Sequence, residues 1–149
     1  MTNRSSPPAL PDLVALAKGL AHPARLRLVG MLEGGELCVC QMIAVVGLAP
    51  STVSQHLSVL AHGGLVAERK EGKLVFYRLR RQGPAAALLP PLLELLAGDA
   101  TAAADRAEID QLRRLPVAEL CAADLDLVAL GVRPAVAADA AARSPEAAP

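Results

Sequence analysis

The sequence predicts a mainly α-helical domain carrying one small β-hairpin, and three observations predict it. Of the 149 residues 53% are hydrophobic, yet there is one Phe, one Tyr and no Trp. The core must therefore be built from Leu, Val and Ala, which suits packed helices better than a large β-sandwich. Up to residue 62, apolar residues recur at helical spacing between Gly and Pro breaks. The period then changes: Leu65–Lys70 and Lys73–Arg80 are two extended runs on either side of Glu71-Gly72, which reads as a hairpin.

Taken in order, residues 1–10 are polar, contain Pro7 and Pro8, and read as disordered. Asp12 is placed to cap a first helix over 12–21, with Leu13, Leu16, Ala17 and Leu20 on one face. His22-Pro23 ends it, and Pro23 suits the first turn of a second helix over 23–33, with Leu26, Val29 and Gly30 inward. Gly34-Gly35 stops that helix. A third covers about 39–46 and ends at Gly47; Pro50-Ser51-Thr52 opens a fourth, which stops at Gly63-Gly64.

Beyond the hairpin, Gly83-Pro84 introduces an Ala/Leu-rich segment in which Pro90-Pro91 is expected to break or kink a helix. Residues 103–115 form a further candidate helix, and from Pro134 the chain is Ala/Pro-rich low complexity. The expected organisation is a disordered N-terminus over 1–10, a globular domain over 11–98, a partly helical extension over 99–133 and a disordered tail over 134–149. No internal repeat is visible.

No apolar stretch approaches the roughly 20 residues that span a bilayer, and the polar start MTNRSSPPALPD does not read as a signal peptide. The expected location is the cytoplasm, with no membrane partner. Cys38, Cys40 and Cys121 are odd in number, which argues for reduced thiols over a secreted disulfide framework. Formal net charge is zero, but six bases face two acids over residues 65–82, a balance of about +4 by direct count. From residue 98 onward nine acids face five arginines, about −4 by the same counting.

Two helices joined by a tight turn and followed by a basic hairpin make the arrangement of a winged helix-turn-helix. In the fourth helix Val53, Leu57 and Leu60 face the core, leaving Ser51, Thr52, Ser54, Gln55, His56 and Ser58 outward. Such short, uncharged polar groups can enter a major groove and bond base edges. The hairpin bases Arg69, Lys70 and Lys73 would grip backbone phosphates, giving affinity without sequence choice. The competing reading is a solvated helix beside a charged hairpin in another small domain.

From Leu20 to Leu79 the chain resembles the ArsR/SmtB family of bacterial metalloregulatory repressors. The residues that carry the resemblance are AHPARLRLVGML, GELCVCQM and STVSQHLSVLAHGGLVAERKEGKLVFYRL, about 60 of the 149 residues. The resemblance implies a homodimer, formed through the first and last core helices, bound to a palindromic double-stranded operator. Here those helices are 12–21 and 84–97. The second has Glu94 as its one charge, and a segment that apolar needs a partner surface.

Glu36-Leu37-Cys38-Val39-Cys40 resembles the arsenical-sensing branch, whose inducer is trivalent arsenic or antimony. Soft thiolates select thiophilic ions, and a helix start lowers thiol pKa. Positions i and i+2 of a regular helix lie about 200° apart, so capturing one ion with both sulfurs is expected to unwind the first turn. The branch's pattern has a third cysteine where this chain has Ile43. Cys121 is the cysteine left to complete a three-coordinate site, folded back or from the partner subunit, unless it is an ordinary tail residue.

The zinc-sensing branch uses His and carboxylates on the last core helix, and 84–97 has no His and one acid. Cadmium or lead on thiolates, and thiol oxidation, remain alternatives for the same fold. No catalytic motif is present, so the chain is not expected to be an enzyme. A CxC thiol oxidoreductase and a protein-interaction module are the rivals from other classes.

Overall fold

The computed structural model describes residues 7–135. Most of the predicted disordered ends, residues 1–6 and 136–149, thus lie outside the described residues. The element order is α1 (Leu10–Leu20), α2 (Pro23–Met31), a turn of 3-10 helix (Leu32–Gly34), β1 (Leu37–Cys38), α3 (Val39–Val46), α4 (Pro50–His62), β2 (Val66–Glu71), β3 (Leu74–Leu79), α5 (Pro84–Ala97), α6 (Ala100–Leu112) and α7 (Val117–Ala122). The sheet is antiparallel in the order β1-β3-β2, so the predicted hairpin gains a third short strand. The architecture is a winged helix-turn-helix, mainly helical with a small sheet.

Helix starts follow local chemistry. His22 precedes α2, and its Nδ1 accepts the Ala24 N–H at 3.0 Å, while Pro23 fills a first-turn position that needs no donor. Asp99 caps α6 by accepting the Ala102 N–H at 2.9 Å, so this helix begins at Ala100 and not at residue 103. Asp12 is not the cap expected for α1. The helix starts earlier, at Leu10, and the Asp12 carboxylate accepts the Ala9 N–H at 3.1 Å from the third helical position.

Two inward faces differ from expectation. In α1 Leu16 and Gly19 are buried, whereas Leu13 and Ala17 are exposed. In α2 Leu28 and Val29 are fully buried and Leu26 only partly. Gly63, at the end of α4, lets the α1 backbone approach closely. A Cβ there would stand 2.8 Å from the Ala15 carbonyl oxygen.

Of the expected break or kink at Pro90-Pro91, a break does not occur: α5 runs from Pro84 to Ala97 with both prolines inside it. Both prolines and the preceding-turn residues Ala86 and Ala87 are exposed. The carbonyls that lose their helical donors therefore sit where water replaces them. Ala85, Leu89 and Leu93 hold the other face of the helix in the core.

Residues 99–133, read from sequence as an extension, share the core of the domain. Ala102, Ile109 and Leu112 of α6, then Leu120 and Leu127, are buried with Leu28, Met42 and Val45. Arg27 of α2 makes two 2.8 Å hydrogen bonds to the buried carboxylate of Asp105 in α6. Burying Asp105 is tolerable because both its oxygens are paired. Asp105→Ala leaves Arg27 without its partner. The expected loss is about 2 kcal/mol, below the usual cost of breaking a buried pair because one partner is partly solvated. The urea midpoint at constant m-value measures it.

Candidate functional site

The chain turns by 115° between α3 and α4, within the range of a helix-turn-helix. Gly47 allows the turn by taking the left-handed conformation (φ 71, ψ 20), where its N–H reaches the Ile43 carbonyl at 3.1 Å. Along α4 Val53, Leu57 and Leu60 are fully buried, which turns Ser51, Ser54, Gln55 and Ser58 to the surface. Thr52 and His56 are half-buried.

His56 is therefore not the freely outward side chain that its spacing suggested. Its ring lies 4.4 Å from that of His22, and its Nδ1 is 3.2 Å from Nη1 of Arg25. A guanidinium only donates, so Nδ1 accepts and the ring proton belongs on Nε2. Burial first, then the neighbouring His22 and Arg25, lower the His56 pKa from its ordinary value, leaving the ring neutral at pH 7. Arg25 also donates to the Gly19 and Lys18 carbonyls at 2.9 Å each. It ties the end of α1 to α4, and nothing local in the sequence marks it.

In the hairpin, Glu71 pairs with Leu74, so Gly72 and Lys73 form a two-residue loop with Gly72 at φ 60. The three hairpin cations named from sequence differ in their commitments. Arg69 bonds the Glu36 carboxylate at 2.6 Å and Glu71 at 2.8 Å, and its guanidinium lies 4.6 Å from the centre of the Phe76 ring. Lys70 stands 3.6 Å from Glu68. Lys73, exposed at the hairpin tip, and Arg78, exposed on β3, make no salt bridge among the described residues, although the Arg78 charge acts on the Glu36 carboxylate.

The cysteines come together differently from the helical expectation. Cys38 is the residue before α3, still extended at φ −71 and ψ 144, and it pairs with Phe76 of β3. Cys40 is the second residue of α3. With one residue outside the helix and one inside, the two Sγ atoms approach to 3.0 Å. No unwinding is needed for both to face one ion. The Gln41 side-chain oxygen accepts the Cys38 N–H at 2.8 Å and fixes the junction.

The expectation of a lowered pKa is also corrected at Cys40. Burial, then the hydrogen bond and charge of Cys38, then Cys121, push its thiol up strongly, which outweighs any effect of the helix start. Cys121, exposed on α7, which packs against α3, contributes least to that shift. Among the described residues no three His, Cys, Asp or Glu side chains already form a complete ligand cage. The thiols Cys38 and Cys40 are a close pair, and Cys121 lies on the helix packed against α3. Two contacts that sequence reasoning missed frame this site. Arg113, just past α6, donates to the Gly35 and Glu36 carbonyls at 3.0 and 3.1 Å. Arg133 binds Glu108 at 2.7 Å and reaches the Val45 carbonyl at 3.5 Å.

Residues 22–68 match the family described as bacterial regulatory protein, arsR family. Over 68 residues the chain is 44% identical to the biofilm growth-associated repressor of Agrobacterium fabrum, covering 46% of this chain and 58% of that protein. Over 73 residues it is 43% identical to the arsenical resistance operon repressor of Escherichia coli K12, covering 48% and 62%. The match thus spans less than two thirds of either curated relative. Among solved structures, HlyU from Vibrio cholerae N16961 superposes with a TM-score of 0.52 at 36% identity, covering 57% of this chain and 91% of that one.

Exposure and burial order the three thiols by reactivity. With a disulfide reagent at neutral pH, Cys121 is expected to react first. Buried Cys38 and the protonated Cys40 should follow roughly ten-fold or more slowly. Stopped-flow absorbance on Cys121→Ser should lose the fast phase, and its survival would contradict this ordering.

Proposed function

The chain belongs to the ArsR family of bacterial regulatory proteins, and on that premise we propose that it is a homodimeric transcriptional repressor. It binds a palindromic operator and leaves it when trivalent arsenic or antimony binds the Cys38 and Cys40 thiols. The observation that carries this reading is the 3.0 Å sulfur pair at the start of α3, the first helix of the helix-turn-helix. The arsenical role of the Escherichia coli relative supports the choice of inducer. So does the chemistry, since a thiol pair without imidazole or carboxylate partners favours soft ions. Cadmium or lead on the same sulfurs is the second reading.

Ser51, Thr52, Ser54, Gln55, His56 and Ser58 present the face of α4 that enters the major groove, with Gln55 suited to adenine. Neutral His56 can offer Nε2–H as a donor. Lys73 and Arg78 meet phosphates, with Lys70 nearby, while Arg69 mainly holds the wing to Glu36. Homodimerisation is supported by apolar side chains left in solvent on the two helices expected to meet. Leu10 is 74% exposed on α1, and Leu95 is 77% exposed on α5.

Two connections make the thiols a suitable switch. Cys38 is laddered to Phe76 of the wing, and Glu36 binds Arg69 across the same strands. α3 also leads directly into α4. A shift at Cys38 is therefore felt by both DNA-contacting elements. An ion that binds the shifted state better lowers operator affinity by the same factor that DNA lowers ion affinity.

Fluorescence anisotropy on the palindromic DNA flanking its gene tests this. Gln55→Ala should lose about 1–3 kcal/mol of discrimination at one base pair. Lys73→Ala should weaken all sequences alike and reduce the salt slope by about 1. Arsenite should release the wild type but not the C38S/C40S double variant. Release of the double variant would assign sensing elsewhere, and absence of salt-dependent, sequence-specific binding would remove the repressor reading.

A further inference from the structure

We propose that Cys121 of the same subunit closes the Cys38–Cys40 pair into a three-sulfur site, so that each chain carries one complete receptor for a trivalent, pyramidal ion. The proposal rests on the reading of Cys38 and Cys40 as the sensor, and it names the third ligand and the subunit that supplies it. α3 cannot supply one itself, because the position one helical turn beyond Cys40 is Ile43. α7 packs against α3. Leu120, the residue before Cys121, is buried in the core, which anchors the helix while the Cys121 thiol stays exposed.

The surrounding bonds hold this arrangement within one chain. Arg113 grips the carbonyls of Gly35 and Glu36 immediately ahead of Cys38. Arg133 joins Glu108 and reaches Val45 at the far end of α3. Between them the chain reverses through Asp124 and Leu125, both left-handed at φ 51 and 61. A leucine adopts that conformation only where its surroundings impose it. Here Leu120 and Leu127 are both buried and bring α7 back over α3.

The donor count then sets the ion class. The described residues hold no preformed cluster of three or more His, Cys, Asp or Glu, so the ion itself draws the third sulfur onto the Cys38–Cys40 pair and finds no imidazole or carboxylate cluster beside it. A tetrahedral ion lacks its fourth protein ligand, whereas trivalent arsenic, with a lone pair at its fourth corner, needs three. Arsenous acid exchanges three As–O bonds for three As–S bonds. Each thiol proton leaves with a hydroxide as water, and arsenic stays trivalent throughout. Phenylarsine oxide keeps its As–C bond and takes two thiols with loss of one water, so it reads the pair alone.

Full-length protein is titrated with each probe, and arsenic coordination is read by X-ray absorption. Wild type should show three As–S bonds, and Cys121→Ser two As–S and one As–O. Arsenite affinity in that variant should fall at least about ten-fold, through loss of a tethered ligand. Phenylarsine oxide should bind wild type and Cys121→Ser within about two-fold, by the same reasoning. A mixed dimer of C38S/C40S with C121S subunits should show no three-sulfur arsenic. Three As–S bonds in Cys121→Ser or in the mixed dimer would overturn the proposal, as would two in the wild type. Failure of phenylarsine oxide to bind wild type would instead remove the thiol-pair reading on which it rests.

Discussion

The structure depends on where α3 begins. Cys38 is extended, Val39 is helical, and the Gln41 side chain caps the junction by accepting the Cys38 N–H at 2.8 Å. Three consequences follow from this one boundary. The extended half pairs with Phe76 and ties the junction to the wing. The helical half starts the helix-turn-helix. Straddling the boundary, the two sulfurs meet at 3.0 Å instead of pointing apart. Had the helix begun one turn earlier, both cysteines would lie inside it on different faces.

Side chains from the C-terminal half reinforce that junction and the helix beside it. Arg113 occupies carbonyls of the loop before it, Arg133 reaches the end of α3, and Asp105 receives Arg27 of α2. The backbone acceptors involved lie in irregular loops or at a helix end, where intrahelical donors run out. Residues 99–133 are thus part of the body that positions the thiols. Strain or ordering at the site has a packed route to α2 and α3, and a ligand shifts the conformational balance only through its difference in affinity for the two states.

The helix-turn-helix pair α3 and α4 was the most legible part of the sequence. Gly47, Pro50 and Gly63-Gly64 punctuate α3 and α4 so clearly that their limits and the buried set Val53, Leu57 and Leu60 agree with the structure. The site was legible in composition but not in geometry. β1 has two residues, too few for a periodic signal, and its partner strand lies beyond two intervening helices. Without that strand nothing marks Cys38 as extended, and the expected sulfur geometry treats both cysteines as lying inside the helix, although the helix itself is expected from about residue 39. Arg25 and Arg113 act on residues distant in the chain, for which local pattern carries no information. Pro90-Pro91 misled for a different reason, because the cost of lost donors depends on exposure that only the packed helix reveals.

Zero net charge fits a DNA-binding surface once the charges are paired off. Asp105 is matched by Arg27, Glu108 by Arg133, Glu33 by Arg106, and Glu36 and Glu71 by Arg69. Those acids are largely neutralised where they stand. Lys73 and Arg78 make no salt bridge among the described residues, while the outward Ser51, Ser54, Gln55 and Ser58 of α4 carry no charge. Electrostatic affinity for DNA scales with the number of phosphates neutralised. Under the proposed reading, sequence discrimination comes from contacts of α4 with base edges. Those contacts are short and geometrically demanding. A surface that relies on them is sensitive to small displacements of α3 and the wing, the two elements joined at Cys38.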